Sequence, residues 1–267
     1  MTSLTLTKHH GLGNDFLCVV EPGIEITADH VVRWCDRRRG IGADGVLAAS
    51  GVDAGTDRWA MTLWNADGGL AEISGNGIRC LGQAILRSVG SAPPAQLDID
   101  TAAGRRHLGI TATGDPATVQ VRVSMGSAKP GPAPSDRLAD LGVVARSQQG
   151  VDLGNPHLVV LVDDPAAYDV ATIGPAVEAD YPGGVNLHLV SVPARDRMLL
   201  RVWERGAGVT EACGSGACAA AWAASRWGLV DPVVSVEMPG GAATIEVGDP
   251  LVLTGPASYV ATVVVDV

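Results

Sequence analysis

The sequence predicts an α/β protein with two pseudo-symmetric halves, in each of which mixed or antiparallel β-strands wrap around a central helix. The first observation is an internal repeat, because residues 63–77 align with residues 202–216 without a gap. The second is an upstream match in the same order, where residues 12–14 and 153–155 both read Leu-Gly-Asn. The third is a helical pattern that follows the repeated loop in both copies. Repeats that recur in one order indicate duplication of a whole structural unit.

The elements of each half follow from residue periodicity. Alternating apolar and polar side chains predict short strands at residues 4–7, 97–100, 119–123, 199–203 and 244–247. Helical spacing of apolar residues predicts helices at residues 28–39, 77–88, 173–179 and 215–227. The second and fourth helices follow the two copies of the repeated loop. Each half is therefore predicted to carry that loop at the N-terminus of its central helix.

The domain boundary is predicted near the middle of the chain, where residues 126–135 have the Gly, Pro and Ser content of a linker. The N-terminal half, residues 1–120, then carries the loop with Ser74, and the C-terminal half, residues 121–255, carries the loop with Cys213. Residues 40–45 fit the Gly-x-Gly-x-x-Gly pattern of dinucleotide sites. A helical pattern precedes them and a strand pattern follows, which reverses the order that such a site requires. Nucleotide binding is therefore not expected.

Composition excludes several classes of function. The 267 residues are 46% hydrophobic, which is enough for a core in two ordinary domains, and a formal net charge of −10 disfavours nucleic-acid binding. The N-terminus lacks the basic start and apolar run of a signal peptide, and no stretch approaches the roughly 18 apolar residues of a membrane span. We therefore expect a cytoplasmic protein that acts on a small molecule and has no nucleic-acid or membrane partner.

Cysteine and histidine usage predicts neither disulfides nor a metal. The five cysteines are an odd number and include no Cys-x-x-Cys pair, which argues against a disulfide framework and against a zinc site. The six histidines are scattered, and the adjacent His9 and His10 would point to opposite faces of a strand. We expect free thiols, among them Cys18 and Cys35 as small buried apolar residues, and no metal site.

The repeated loop offers acid/base chemistry. In the alignment Ser74 lies opposite Cys213, and each precedes a Gly-x-Gly at the start of a predicted helix. A helix N-terminus presents unpaired N–H groups and a positive dipole end, which bind a carboxylate and lower the pKa of a cysteine thiol. Two such loops at one cleft would place a thiolate and a thiol on opposite faces of an α-carbon and invert it without a cofactor. The alternative is an architectural duplication in which Cys213 is a buried structural thiol.

Polar residues near the repeated loops fit a zwitterionic ligand. Glu204 and Arg205 provide one charge of each sign. Five asparagines lie in Gly-rich or turn-like contexts, where each side chain can donate and accept hydrogen bonds at once: Asn14, Asn65, Asn76, Asn155 and Asn186. Any one of these asparagines, taken alone, is explained equally well as a turn residue. Five of them beside the duplicated loops favour binding of an amino acid.

Several segments carry a resemblance to a known family. They include Lys-His-His-Gly-Leu-Gly-Asn-Asp-Phe at 8–16, Ser-Gly-Asn-Gly-Ile-Arg-Cys at 74–80 and Ala-Cys-Gly-Ser-Gly-Ala-Cys at 212–218, with further matches at 38–44, 65–68, 154–157 and 203–208. In order, over most of the chain, they resemble diaminopimelate epimerase. The resemblance implies a pyridoxal-independent isomerase of lysine and peptidoglycan biosynthesis, which interconverts LL- and meso-2,6-diaminopimelate without a cofactor. It also implies a homodimer whose last strand, about residues 256–267, returns to the N-terminal half.

The same resemblance implies roles for individual residues. Cys213 and Ser74 fall on the positions of the two catalytic residues, and His157 and Glu204 fall on positions that support them. The positions that contact substrate are Asn14, Asn65, Gly75, Asn76, Asn155, Asn186, Glu204, Arg205, Gly214 and Ser215.

Two residues depart from the family pattern. The family carries Cys at the position of Ser74, and often a substrate-contacting Gln at the position of Gly45. A serine hydroxyl stays protonated far above the pH at which a helix-terminal cysteine ionises, so one half of the acid/base pair is missing. Cys80 does not replace it, because six further residues along a helix place it about 9 Å up the axis.

Three explanations fit Ser74. The residue is an engineered replacement of Cys, or a natural one whose hydroxyl or a bound water donates protons slowly, or the mark of a related enzyme that needs only one base. The last class includes amino-acid dehydratases and racemases that remove an α-proton on the same scaffold. A catalytically impaired amino-acid-binding protein is a further alternative, and it predicts binding without proton exchange at the α-carbon.

Overall fold

A computed structural model describes residues 3–53, 55 and 57–267 of the chain. They form two compact units, of which unit 1 comprises Met1–Val123 with Thr254–Val267 and unit 2 comprises Ser124–Leu253. Within the described residues, no helix is both long enough and apolar enough to cross a membrane.

The first part of the chain supplies ten elements, and the rest follow in unit 2 up to the last strand. The first ten are β1 (Ser3–Gly11), β2 (Asn14–Val20), α1 (Ala28–Cys35), β3 (Gly45–Gly51), β4 (Arg58–Asn65), β5 (Leu70–Ala71), α2 (Gly75–Val89), β6 (Ala95–Thr101), β7 (Gly104–Ala112) and β8 (Thr118–Gly126). They are followed by β9 (Lys129–Pro130), α3 (Arg137–Asp140), β10 (Ser147–Asp152), β11 (Pro156–Leu161), a 3-10 helix (Pro165–Ala167), α4 (Val170–Glu178), β12 (Asn186–Ala194), β13 (Arg197–Glu204), β14 (Gly208–Val209), α5 (Gly214–Arg226), β15 (Val233–Met238), β16 (Gly241–Glu246) and β17 (Leu251–Asp266).

The duplication is visible in the order and pairing of these elements. The run from β1 to β8 through α1 and α2 is repeated by the run from β10 to β17 through α4 and α5. Parallel pairing of β2 with β3 and of β4 with β6 recurs between β11 and β12 and between β13 and β15. The hairpins β1–β2, β3–β4 and β6–β7 are antiparallel, as are β10–β11, β12–β13 and β15–β16. The predicted α/β fold with two duplicated halves is confirmed.

Each unit contains one helix that strands cover on several sides. In unit 1, α2 packs against β1, β2, β3 and β7, and its residues are buried almost throughout. In unit 2, α5 packs against β10, β11, β12, β13, β15 and β16, and its alanines allow the strands to approach closely. A helix whose residues are mostly small or apolar on every side must be covered on every side, which explains the central position of α5. Helix α2 also buries polar side chains, and Asn76, Arg79 and Gln83 are hydrogen-bonded there. The shorter α1 and α4 cover other faces of the strands with separate apolar clusters.

Several element boundaries differ from the sequence-based expectations for local reasons. The first helix ends at Cys35 rather than residue 39, because the Asp36 carboxylate accepts hydrogen bonds from the backbone N–H groups of Arg38 and Arg39 and the chain turns there. Helix α4 begins at Val170, where the preceding Asp169 side chain caps it. Helix α3 and the 3-10 helix were not anticipated, since each spans only a single turn. The glycine-rich residues 40–45 lie after α1 and before β3, the reverse of a dinucleotide-binding loop.

Candidate functional site

The two copies of the repeated loop have the same local structure. Ser74 is the N-cap of α2, and its Oγ accepts a hydrogen bond from Gly77 N at 3.0 Å. Cys213 is the N-cap of α5, and its Sγ accepts from Gly216 N at 3.4 Å. Both residues have the same extended backbone, with φ of −128° and −129°. The pairing of Ser74 with Cys213 in the sequence alignment is therefore also a structural equivalence.

Each cap residue opens a helix whose first N–H groups have no partner within the helix. The first two residues are Gly75 and Asn76 in α2, and Gly214 and Ser215 in α5. The partial positive charge of the N–H groups there, together with the helix dipole, suits an anionic group. The structure thus places these four of the predicted residues at equivalent helix starts.

In unit 1 a chain of hydrogen bonds holds two of the predicted asparagines. Asn76 Nδ2 donates to Asn14 Oδ1 at 3.1 Å, and Asn14 Nδ2 donates to Asp44 Oδ2 at 2.7 Å. Arg79, which is fully buried, donates to Asn76 Oδ1 at 2.9 Å and to Gly75 O at 2.9 Å. The buried guanidinium thereby orients one asparagine amide, which in turn orients the next.

Charged residues hold Asp44, the last residue of this series of hydrogen bonds, and its neighbour Asp15. Arg37 contacts Asp15 at 2.6 Å and Asp44 at 2.7 Å, and Lys8 contacts Asp15 at 2.9 Å. Burial raises the pKa of Asp15, but hydrogen bonds from Arg37 and Lys8 outweigh it and hold that pKa below its ordinary value. Asp44 and the basic residues were not proposed as site residues from sequence, although Asp44 ends the family-like segment 38–44. Asn65, also predicted, is half-buried at the end of β4.

In unit 2 the predicted residues also contact one another. Asn186 Nδ2 donates to Pro156 O at 2.8 Å, and Asn186 Oδ1 accepts from Arg205 N at 3.0 Å. Both ends of this amide are occupied, so Asn186 fastens two chain segments together. The Arg205 guanidinium donates to Gly183 O at 3.1 Å. Asn186 therefore supports the position of Arg205, the residue next to Glu204.

A buried pair of histidines adjoins Asn155. His157 Nε2 lies 2.8 Å from Asn155 Oδ1, and His157 Nδ1 lies 2.9 Å from His188 Nε2. Both rings are fully buried. His188 was missed in the sequence analysis because it lies inside an apolar strand, without a local motif.

The environment of Cys213 contradicts the expected lowering of its thiol pKa. The residue is only 3% exposed, and burial raises that pKa well above its ordinary value. The negative charge of Glu204 raises it further, whereas hydrogen bonds from Ser215 and from Gly216 N act in the opposite direction. The prediction from the helix terminus alone was wrong, because the cost of burying a thiolate exceeds the gain from the dipole.

The contact with Glu204 has a chemical consequence. The Cys213 thiol donates a hydrogen bond toward the Glu204 carboxylate, which also accepts one from the Thr210 hydroxyl. Glu204 is therefore positioned to take the thiol proton when the thiolate is needed. The remaining four cysteines are also buried and form no disulfide, and burial raises the pKa of Cys80 to about 12.

Gly45, noted above as a departure from the pattern that the resemblance implies, lies where the backbone is closely packed. A Cβ at position 45 would lie 2.4 Å from Trp64 O and 3.3 Å from the Phe16 ring. This backbone therefore has no room for a longer side chain at Gly45.

Across the described residues, no group of histidine, cysteine, aspartate and glutamate side chains is arranged to hold a metal ion.

Three buried histidines predict an acid-sensitive stability. Burial lowers the pKa of His9 to about 4 and that of His188 to about 3, and it lowers the pKa of His157 as well. Below the ordinary value of 6.5 the unfolded chain takes up protons that the folded chain excludes, so stability is complete above 6.5 and decreases as the pH falls toward these folded values. We expect the free energy of unfolding to drop by about 1.4 kcal/mol per pH unit for each histidine.

Urea unfolding at roughly pH 7, 6 and 5 measures this slope. His9→Gln should reduce it by about a third, because one of three buried rings no longer titrates. An unchanged slope in this variant would contradict the assignment of His9 as a neutral, buried ring.

Comparisons with known proteins identify a family for the chain. A family model described as diaminopimelate epimerase matches residues 6–130 and 150–260. Diaminopimelate epimerase 1 of Nostoc sp. is 38% identical over 281 aligned residues, covering 97% of this chain and 99% of that protein. The diaminopimelate epimerase of Synechococcus elongatus is 41% identical over 276 aligned residues, covering 96% of this chain and 95% of that protein.

Solved structures show the same fold at low sequence identity. A phenazine biosynthesis protein of the PhzF family from Bacillus anthracis matches with a TM-score of 0.74 at 17% identity, over 100% of both chains. A hydroxyproline epimerase from Agrobacterium vitis matches with a TM-score of 0.73 at 14% identity, over 98% of this chain and 92% of that one. From the family model and the near full-length relatives, the chain belongs to the diaminopimelate epimerase family.

Proposed function

We propose that this protein epimerises LL-2,6-diaminopimelate to meso-2,6-diaminopimelate without a cofactor. The observation that carries the proposal is the equivalence of Ser74 and Cys213, each the cap of a helix whose first N–H groups suit a carboxylate. Family membership and relatives named as diaminopimelate epimerases support this substrate. The only net change in the proposed reaction is the configuration of one α-carbon.

The proposed reaction transfers one proton off the α-carbon and another onto it. When the stereoisomer whose α-hydrogen faces Cys213 binds, the Cys213 thiol proton passes to Glu204, and the thiolate removes that α-proton. The resulting negative charge spreads onto the substrate carboxylate, which the N–H groups at the helix starts stabilise. A proton then returns to the opposite face from the side of Ser74, either from its hydroxyl or from water. Return from Cys213 instead restores the original configuration.

Incubation of LL-diaminopimelate with the protein in D₂O tests this proposal. Deuterium in the meso product shows inversion, as proposed. Deuterium only in recovered LL-diaminopimelate shows a single working base and supports the one-base alternative. Absence of deuterium from both isomers, with binding retained, contradicts catalysis at the α-carbon and identifies a binding protein.

We further propose that the protein works as a homodimer in the cytoplasm. All five cysteines are buried thiols outside any disulfide, which supports a reducing compartment, since disulfides form mainly in oxidising ones. The homodimer follows only from the family resemblance. Sedimentation velocity at several protein concentrations measures the oligomeric state, and a monomer at all of them contradicts the dimer.

A further inference from the structure

In unit 2 two hydrogen bonds link the side chains of Asn155, His157 and His188. They determine which nitrogen of each imidazole ring carries a proton. His157 lies on β11 and His188 on β12, two strands that pair in parallel. Val159 is the register partner of His188, and it lies two residues after His157, so its side chain is on the same face of β11. The two histidine side chains therefore share one face of the sheet. His157 Nε2 faces Asn155 Oδ1 at 2.8 Å, and His157 Nδ1 faces His188 Nε2 at 2.9 Å. Burial keeps both rings neutral, so each carries one N–H and one bare nitrogen.

Only two arrangements of protons satisfy both hydrogen bonds. In the first, His188 Nε2–H donates to His157 Nδ1, and His157 Nε2–H donates to Asn155 Oδ1. In the second, the Asn155 amide is turned over and donates to His157, which then donates from Nδ1 to His188 Nε2. The second arrangement moves the His188 proton to Nδ1.

The surroundings of His188 Nδ1 favour the first arrangement. This atom is buried and has no hydrogen-bond partner within the described part of the chain. A buried N–H without an acceptor is rare and costly, whereas a bare acceptor is tolerated more readily. The ring cannot move to find a partner, because it packs against the first turn of α5, where a Cβ at Gly216 would lie 2.1 Å from His188 Cε1.

We propose that His188 is a positioning residue that acts through His157 on the Asn155 amide. It holds this amide so that its NH₂ group faces a carboxylate of the substrate. In this orientation Asn155 Oδ1 is occupied by His157, and across the described residues none accepts a hydrogen bond from Asn155 Nδ2. Asn155 is then a donor to an anionic group and is unavailable as an acceptor for an ammonium group. The assignment rests on the proposed function for its ligand, but the proton positions are independent of it.

Nitrogen NMR of the histidine rings tests the proton positions without substrate. His9 serves as an internal reference with the opposite tautomer, since its Nδ1 lies 2.8 Å from Gln83 Oε1 while Gln83 Nε2 donates to Ala117 O. Long-range ¹H–¹⁵N spectra of the ¹⁵N-labelled protein above the ordinary histidine pKa should show Nδ1–H for His9 and Nε2–H for His157 and His188. An Nδ1–H signal from either of the latter two overturns the proposal.

A double-mutant cycle tests the action through Asn155. We expect His188→Met to raise the KM for LL-diaminopimelate by about tenfold, with a smaller change in kcat, as a buried hydrogen bond of ordinary strength is lost. The same substitution made in Asn155→Ala should have almost no further effect on KM. His9→Met, which also removes a buried ring, should lower thermal stability and leave the His157 signals unchanged.

Additive effects of His188→Met and Asn155→Ala, or an unchanged KM in a folded His188→Met protein, overturn the positioning role. If the unmodified protein neither binds nor exchanges diaminopimelate, the proposed function fails instead. The tautomers read from the first spectrum then still decide the proton arrangement of the three residues.

Discussion

Ser74→Cys should raise the rate of diaminopimelate epimerisation by about 10²–10⁴-fold, the usual size of general acid–base assistance. A hydroxyl is a much weaker acid than a thiol, so in the proposed mechanism proton delivery from the Ser74 side limits inversion. The substitution should be accommodated, because Cys213 occupies the equivalent cap with the same backbone and keeps the hydrogen bond from the third residue of its helix.

Substrate affinity should change little in this variant, since the backbone N–H groups of Gly75 and Asn76 are untouched. Coupled assays of meso-diaminopimelate formation give kcat and KM for both proteins. Ser74→Ala is the matched control: it removes the hydroxyl, should cost about 1 kcal/mol of stability through loss of the cap, and should not accelerate the reaction. If the unmodified protein already epimerises rapidly and Ser74→Cys leaves that rate unchanged, the proton comes from another donor.

Cys213→Ala should abolish both epimerisation and α-proton exchange, with a rate loss of about 10⁴-fold, at the upper end for a general base. Without the thiol, no group at the start of α5 can remove the α-proton and pass its own proton to Glu204. Deuterium uptake in D₂O by the LL isomer and, separately, by the meso isomer measures this first step apart from inversion, because only the isomer whose α-hydrogen faces Cys213 exchanges.

Cys218→Ala is the matched control for that variant. Cys218 lies in the same helix and is fully buried, but it is not the cap residue. Both variants should lose some thermal stability through the small cavity left behind, and only Cys213→Ala should lose exchange. Exchange that persists in Cys213→Ala would assign the base to a different residue.

The internal repeat allowed the fold to be predicted from sequence. A gapless alignment places Ser74 opposite Cys213, and the structure makes both residues helix caps with the same geometry. The four main helices were located from local patterns, because apolar periodicity and capping residues act within a few positions of the chain. Boundaries such as the end of α1 depended on a single side chain, Asp36, and were less accurate.

The sequence predicted only part of the candidate site. Asparagines beside the loops were identified, but not whether each amide is held as a donor or as an acceptor. In unit 1 that choice depends on Arg79, which lies one helical turn after Asn76 in the segment 74–80 but was not assigned a role from sequence. In unit 2 we infer that it depends on His188, which has no motif and meets His157 only because their strands pair. The absence of room for a Gln at Gly45 likewise comes from Trp64 on the neighbouring strand.

The sequence by itself determined the duplicated α/β architecture, the family and the two equivalent cap positions, because repeats, periodicity and motifs are properties of residue order. Only the tertiary structure decided the direction in which the pKa of Cys213 shifts. The helix N-terminus favours a thiolate at Cys213, yet burial and Glu204 raise its pKa instead. Desolvation and charge pairing depend on what surrounds a group in three dimensions, and residues distant in the chain supply those surroundings.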